Sequence, residues 1–232
     1  MKTTENNTTE FDYQKALKKG KSHFVDKFIR VEKYINRPLA YLIVRAVFRT
    51  RITPNGLTFF SFFLGLLAAI FFSRGEYIYF VLGGVFTQLS AIVDCSDGML
   101  ARAKNMCSDY GAYLDLFLDR IVDFSLIVGI AVGIYSASSN VNLFIIGLLT
   151  AGLYLLQVNL FYILKSFTQK KQTGETGEMR ALMLLLILIF SVVNRLDIFI
   201  YLFLVEASIT NLIRLIHFIY LGKKKIPGAG SF

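Results

Sequence analysis

Residues 94–120 read DCSDGMLARAKNMCSDYGAYLDLFLDR. Asp94 and Asp97 stand three apart, while Gly111, Asp115 and Asp119 recur every four. Three or four residues are about one helical turn, so each set forms a stripe on one face. Facing each other, the two stripes would gather four carboxylates, with Arg102 and Arg120 as partial counter-charges. Left unpaired at the level of a membrane, such charges repel and each costs several kcal/mol in lost hydration. An all-oxygen set with no His and no thiolate in its pattern selects a hard divalent cation, Mg²⁺ or Mn²⁺. Two such ions bridged by shared carboxylates are a common way to hold a diphosphate.

Gly98 follows Asp97 directly, and Gly111 lies one turn before Asp115. Both remove a side chain where a ligand would lie against the helix. The same glycines, with Ala101 and Ala112, would equally let two helices pack closely. Both readings stand.

Two stripes need two helices held face to face. The chain is 232 residues long and 55% hydrophobic, with 22 Phe, 12 Tyr and no Trp. Its apolar residues come in blocks at 56–73, 77–99, 109–136, 141–166, 181–194 and 198–221. Most are long enough to cross a bilayer, which takes about 20 residues at ~1.5 Å each. The expected fold is an all-α integral membrane protein, a six-transmembrane-helix bundle over 53–222. The short linker 102–108 makes the second and third spans antiparallel neighbours, so their acidic stripes meet at one membrane face.

The flanks divide by composition. Residues 1–20 read as a disordered polar tail with no apolar signal core, and 223–232 as a basic tail. Within 21–52, Phe24, Phe28, Val31, Ile35 and Leu39 recur at three or four. This spacing predicts an amphipathic helix lying on the membrane, broken at Pro38 and followed by a second short helix over 40–49. Thr53-Pro54-Asn55 then punctuates the entry to the first span.

Charge sets the orientation. Lys and Arg number twelve in the first 52 residues, two in 102–108, four in 165–180 and three in the C-terminal tail. The opposite loops hold only Arg74 and Arg195, which is 21 against 2. By the positive-inside rule both termini and the acidic cluster face the cytoplasm of a multi-pass cell membrane. The net charge of +9 then serves topology and anionic headgroups, and a nucleic-acid partner is not implied. Cys95 and Cys107 would be reduced thiols there, and zinc lacks a ligand set.

The pattern Asp94-x2-Asp97-Gly98-x2-Ala101-Arg102-x8-Gly111-x3-Asp115-x3-Asp119 resembles the complete signature of the CDP-alcohol phosphotransferases (CDP-alcohol phosphatidyltransferases). The likeness extends to the six spans, the preceding interfacial helix and the Thr-Pro-Asn turn. It implies a homodimeric membrane enzyme of phospholipid biosynthesis that displaces CMP from a CDP-linked donor with an alcohol acceptor. Asp94, Asp97, Asp115 and Asp119 would hold two Mg²⁺ or Mn²⁺ ions, and Asp119 would also be the catalytic base. Gly98, Ala101, Arg102, Ser108 and Gly111 would line the donor site, with Pro54 and Asn55 nearby.

The residues agree with that chemistry. Metals and Arg102 can stabilise charge on a transferring phosphoryl group, and a carboxylate can take the hydroxyl proton. No Ser, Cys or His recurs beside the cluster as a nucleophile, which favours direct in-line displacement. Lys165, Lys170, Lys171 and Arg180 either capture an acceptor phosphate or set topology. Glu206, Thr210, Arg214 and His217 share a helical face. That face is either a polar wall for the acceptor or part of a buried ion pair, such as Arg214 with Asp123 or Glu206. A cation channel or transporter would account for the aspartates but not for Gly98, Ala101 and Arg102 in register. Intramembrane prenyltransferases resemble longer chains with two separated Asp-rich motifs, and an inert scaffold has no use for Asp119. The sequence leaves the acceptor alcohol open.

Overall fold

The computed structural model describes residues 31–168 and 175–225, all helical apart from short turns and loops. The expected tail 1–20, the start of the interfacial segment, Lys170, Lys171 and residues 226–232 lie outside the described residues. A π-helical turn, Glu32–Asn36, leads into α1 (Arg37–Val47). Then follow α2 (Pro54–Ser73), α3 (Tyr77–Lys104), α4 (Asp109–Ser138), α5 (Val141–Thr168), α6 (Glu175–Val192) and α7 (Leu196–Lys225).

Local chemistry sets the boundaries. Thr53 caps α2 by accepting from the Gly56 N–H at 3.2 Å, and Pro54 occupies the first turn, where its missing N–H costs nothing. Helix α3 ends at Asn105, in the left-handed region at φ 55°, while the Met106 N–H closes back on the Ala101 carbonyl at 2.8 Å. Ser108 caps α4 by accepting from the Gly111 N–H at 3.0 Å. These caps turn the chain between α3 and α4 within residues 105–108 and bring the two acidic stripes side by side.

Helix α4 packs closely on α2. A Cβ at Gly129 would stand 2.5 Å from the Ala69 carbonyl oxygen, and one at Gly133 would collide with the Phe72 carbonyl. Only glycine permits that approach. Around it lies a core of fully buried side chains, among them Phe72, Leu126, Ile127, Ile130, Ile187 and Ile200. A second core, with Ala40 and Val44 against Ile92, Val93, Met99 and Leu100, fixes α1 beneath the acidic end of α3.

Among the described residues, five helices, α2, α3, α4, α5 and α7, are long and apolar enough to cross a membrane. The apolar part of α6 is shorter, Met179–Val192. Large apolar side chains such as Phe63, Ile70, Leu149 and Val205 face outward, the inverse of a water-soluble surface.

Pro38 does not break the chain as the sequence reading expects. The helix runs through it, with Pro38 in the first turn of α1. The widened turn ahead of it is the physical reason. The Arg37 N–H reaches back five residues to the Glu32 carbonyl, and such widening relieves the ring clash and the missing donor.

Candidate active site

Asp94 and Asp97 project from α3, and Asp115 and Asp119 from α4. One carboxylate oxygen from each of Asp94, Asp97 and Asp115 lies within 4.8 Å of the others. Thr58 on α2 donates to Asp97 Oδ2 at 2.5 Å and orients that carboxylate. Asp115 Oδ1 is buried and has no hydrogen-bond partner among the described residues. A buried carboxylate oxygen left without a donor is costly. Oxygens converging from three carboxylates, one of which also keeps an unsatisfied oxygen, form the kind of donor set a hard divalent cation takes. The residues therefore fit the Mg²⁺ or Mn²⁺ that the sequence pattern implies.

Asp119 has a different partner. Arg180, near the start of α6, gives Nη2 to Asp119 Oδ1 at 2.9 Å and Nη1 to Asp94 Oδ2 at 3.1 Å. Its Nε donates to Asp123 Oδ1 and Oδ2 at 2.9 and 3.1 Å. Asp123 is fully buried and also accepts from Arg120 Nη1 at 3.2 Å and from the Tyr154 hydroxyl at 2.5 Å. Arg180 thus spans three carboxylates on two helices and enters the acidic cluster. Of the two acids offered as ion-pair partners for Arg214, Asp123 or Glu206, Asp123 instead bonds Arg120, Tyr154 and Arg180.

Two cavities meet at the cluster. The larger, about 810 Å³, is lined by all four aspartates together with Arg102, Lys165 and Arg180. The smaller, about 250 Å³, is lined by Asp97 and Asp115 and by Pro54, Asn55, Gly98 and Ala101. Arg102, Ser108 and Gly111 complete its wall. All seven residues expected around a donor therefore converge on one cavity. A Cβ at Gly111 would stand 3.1 Å from Ser108 Oγ and 3.2 Å from Asn55 Oδ1, so this glycine brings α4 against the start of α2. At Gly98 the nearest atom would be Arg102 Nη1 at 3.3 Å, on the wall of the cavity itself.

Arg214 lies elsewhere. It donates to the Gln157 carbonyl, and its guanidinium stands 5.3 Å from the centroid of the Phe161 ring. Glu206 accepts from Gln157 Nε2 at 3.0 Å and Thr210 Oγ1 at 2.9 Å. His217 is exposed. Lys165 lies over the Tyr162 ring, 5.8 Å from its centroid. Cys95 and Cys107 are not joined in a disulfide.

A sequence model described as CDP-alcohol phosphatidyltransferase matches residues 51–217. The chain belongs to the CDP-alcohol phosphatidyltransferase family. The matched stretch contains α2 through most of α7 and hence every residue of both cavities except Glu32 and Asn36. Among family relatives, the chain is 30% identical over 148 residues to the bifunctional IPC transferase and DIPP synthase of Archaeoglobus fulgidus. That alignment covers 64% of this chain and 26% of the relative. It is 40% identical over 83 residues to the archaetidylinositol phosphate synthase of Pyrococcus horikoshii, 35% of this chain and 42% of that one. With the phosphatidylinositol phosphate synthase of Mycobacteroides abscessus it shares 34% over 97 residues, 41% of each chain. The aligned stretches therefore span less than half the length of these relatives.

Within the family site, four residues were not singled out from the sequence for the roles they take. Thr58 and Tyr154 carried no motif, Asp123 was offered only as an ion-pair partner for Arg214, and Arg180 was read as an acceptor-phosphate or topology charge rather than as a partner of the aspartates. An Arg one residue into a helical apolar run was the one available signal, because such a charge at membrane depth usually has an acidic partner.

Proposed function

We propose that the protein transfers a substituted phosphate group from a CDP-linked donor, CDP-diacylglycerol or a CDP-polyol, to an alcohol and releases CMP. One observation carries this reading: Asp97, Gly98, Arg102, Ala112 and Asp115 line both cavities. A donor with its cytidine end in the smaller cavity has its diphosphate at the aspartates, and an acceptor in the larger cavity meets it there.

Asp94, Asp97, Asp115 and Asp119 would hold two Mg²⁺ or Mn²⁺ ions, which would supply positive charge to the diphosphate and to its transition state. Arg102 adds a guanidinium on the donor side, and Gly98 and Gly111 leave the wall open for the donor. Asp119 takes the acceptor's hydroxyl proton. The acceptor oxygen then bonds to the phosphorus carrying the transferred group, and the bond from that phosphorus to CMP breaks with its electron pair leaving on CMP. Arg180 touches Asp119 and lines the larger cavity with Lys165, so both cations are placed to draw in a phosphorylated acceptor.

The acceptor we infer is a polyol phosphate of the inositol phosphate kind. The Arg180 and Lys165 cations support it, as do the products for which two of the relatives are named. The same reading makes the enzyme a homodimer in the membrane, with both termini and the acidic cluster on the cytoplasmic side. It counts α6 as the sixth span, since 18 residues rise about 27 Å, close to the hydrocarbon thickness.

The test is CMP release by purified protein with Mg²⁺, CDP-diacylglycerol or a CDP-polyol, and a panel of alcohols that includes inositol phosphate, glycerol phosphate and serine. The reading expects CMP only when an acceptor is present, with a phosphorylated polyol the best. Cation flux without CMP release would replace it with a transport function.

A further inference from the structure

Lys104 closes α3, and its sequence context marks it only as one of two cations in 102–108. The structure gives it specific partners. Its ammonium donates to the Thr50 carbonyl at 2.9 Å and to the Ile52 carbonyl at 2.8 Å, across 54 and 52 positions of sequence. Both carbonyls belong to the non-helical segment 48–53, which joins α1 to α2. Within that segment Thr50 forms a small turn of its own. Its hydroxyl donates to the Val47 carbonyl at 2.7 Å and accepts from the Ile52 N–H at 3.2 Å. An ammonium has three protons to give, and two of them here bridge that turn to the end of α3.

The bridge joins the two sides of the smaller cavity. Thr53, Pro54 and Asn55 follow the turn directly; Thr53 caps α2, and Pro54 and Asn55 line one wall. The facing wall is the end of α3 and the turn beyond it, with Ala101, Arg102, Met106, Cys107 and Ser108. A second join lies deeper, where Thr58 of α2 donates to Asp97 of α3 at 2.5 Å. Asp97 and Lys104 are seven residues apart, about 10 Å along the helix. Lys104 does not itself line the cavity, so it acts on a ligand there only through the walls. The inner join is buried, whereas Thr50 and Ile52 are exposed. Carbonyls released at the outer join would be met by water at little cost. Its loss therefore frees one wall without unfolding the chain.

We propose that Lys104 is a positioning residue for the CDP-linked donor, a role that rests on the donor reading of the smaller cavity. It fixes the start of α2 against the end of α3 and so sets the spacing of the two walls. Walls held in place lose less freedom when a ligand binds between them, which favours binding. The effect falls on the donor and spares the acceptor, because Pro54 and Asn55 line the smaller cavity and not the larger. Lys104→Met removes the bridge. Lys104→Arg keeps it, since a guanidinium also offers several N–H donors on a long stem.

Two readouts on the full chain in detergent test this. In CMP release, Lys104→Met should raise the donor KM about tenfold, with kcat and the acceptor KM held within about twofold. Binding without turnover is read with CDP and Mg²⁺ as the probe, through alkylation of Cys107, which is exposed and lines the smaller cavity. CDP should slow that alkylation, followed by peptide mass, and Lys104→Met should raise the half-protecting concentration about tenfold. Lys104→Arg should stay within about threefold of the wild type in both readouts. Arg51→Met removes a like charge from the same exposed segment and should change neither. The melting temperature of Lys104→Met should lie within about 2 °C of the wild type. Unchanged half-protection in Lys104→Met, or an equal rise in Arg51→Met, would overturn the positioning role. So would a rise in both KM values with a melting temperature lowered by more than about 5 °C, which would make Lys104 a residue of the fold alone. Wild-type Cys107 left unprotected by CDP would overturn the donor reading of the cavity, and the role of Lys104 with it.

Discussion

Asp123 is the strongest place to perturb the network that no sequence motif announced. In Asp123→Asn one carboxylate oxygen becomes an amide nitrogen that cannot accept a hydrogen bond. Three side chains now donate to that carboxylate, Arg120 at 3.2 Å, Tyr154 at 2.5 Å and Arg180 at 2.9 Å. At least one charge-assisted bond is lost, about 1.5–3 kcal/mol. Removing one member of a buried ion pair costs about 3–5 kcal/mol, because the charge left behind stays dehydrated. Arg180 keeps Asp94 and Asp119 as partners, so the lower end applies and we expect about 3 kcal/mol. For a chain of this size that is a Tm lowered by about 6–12 °C. The assay is thermal loss of helical circular dichroism in detergent, run beside Tyr154→Phe and the double variant. Tyr154→Phe alone should cost about 1 kcal/mol. In the double variant the two losses should fall short of their sum, since both residues act through the same carboxylate. An Asp123→Asn protein melting within about 2 °C of the wild type, or strict additivity with Tyr154→Phe, would refute the claim that these groups form one network.

Three further outcomes follow from the site and its setting. EDTA should abolish CMP release and Mg²⁺ or Mn²⁺ should restore it, because Asp94, Asp97 and Asp115 present only oxygen ligands; full turnover in chelator would contradict this. Arg180→Gln should raise KM for a phosphorylated acceptor by about 10–100-fold, the worth of a charge-assisted hydrogen bond. Its effect on donor binding should be small, since Arg180 lines the larger cavity and not the smaller one. In a background free of Cys95 and Cys107, Ala137→Cys should react with an impermeant thiol reagent outside the cell, whereas a cysteine at position 223 should not. The reverse labelling would invert the topology.

The acidic cluster and the grouping of Pro54, Asn55, Gly98, Ala101, Arg102, Ser108 and Gly111 around one cavity were legible because their geometry is local. Spacings of three and four put the aspartates on helical faces, and a short capped turn leaves those faces only one way to meet. The counter-charge was not legible, since Arg180 reaches its carboxylates across 57 to 86 positions of sequence. Helical periodicity says which face a residue occupies but not which neighbour that face meets. Thr58 on Asp97 and Tyr154 on Asp123, 39 and 31 positions apart, were hidden for the same reason. Of the stripe Glu206, Thr210, Arg214 and His217, the first three turn inward and line a cavity of about 430 Å³ among α5, α6 and α7 rather than the acidic one, while His217 is exposed against expectation. Pro38 misled because a proline usually stops a helix, and nothing in local composition announces the widened turn that lets it continue.

The division of labour among the four aspartates is tested most directly by comparing Asp119→Asn with Asp94→Asn, measuring kcat for CMP release and donor affinity on the same preparations. Asp119→Asn keeps its volume and one oxygen but takes up a hydroxyl proton poorly. Its kcat should fall by about 10²–10⁴, the usual worth of a general base, with donor affinity held within about tenfold. Asp94→Asn removes a charge that offsets the cation and should weaken metal and donor binding together. An Asp119→Asn enzyme with near-normal kcat, or one that loses donor binding as fully as Asp94→Asn, would contradict the role of Asp119 as the base.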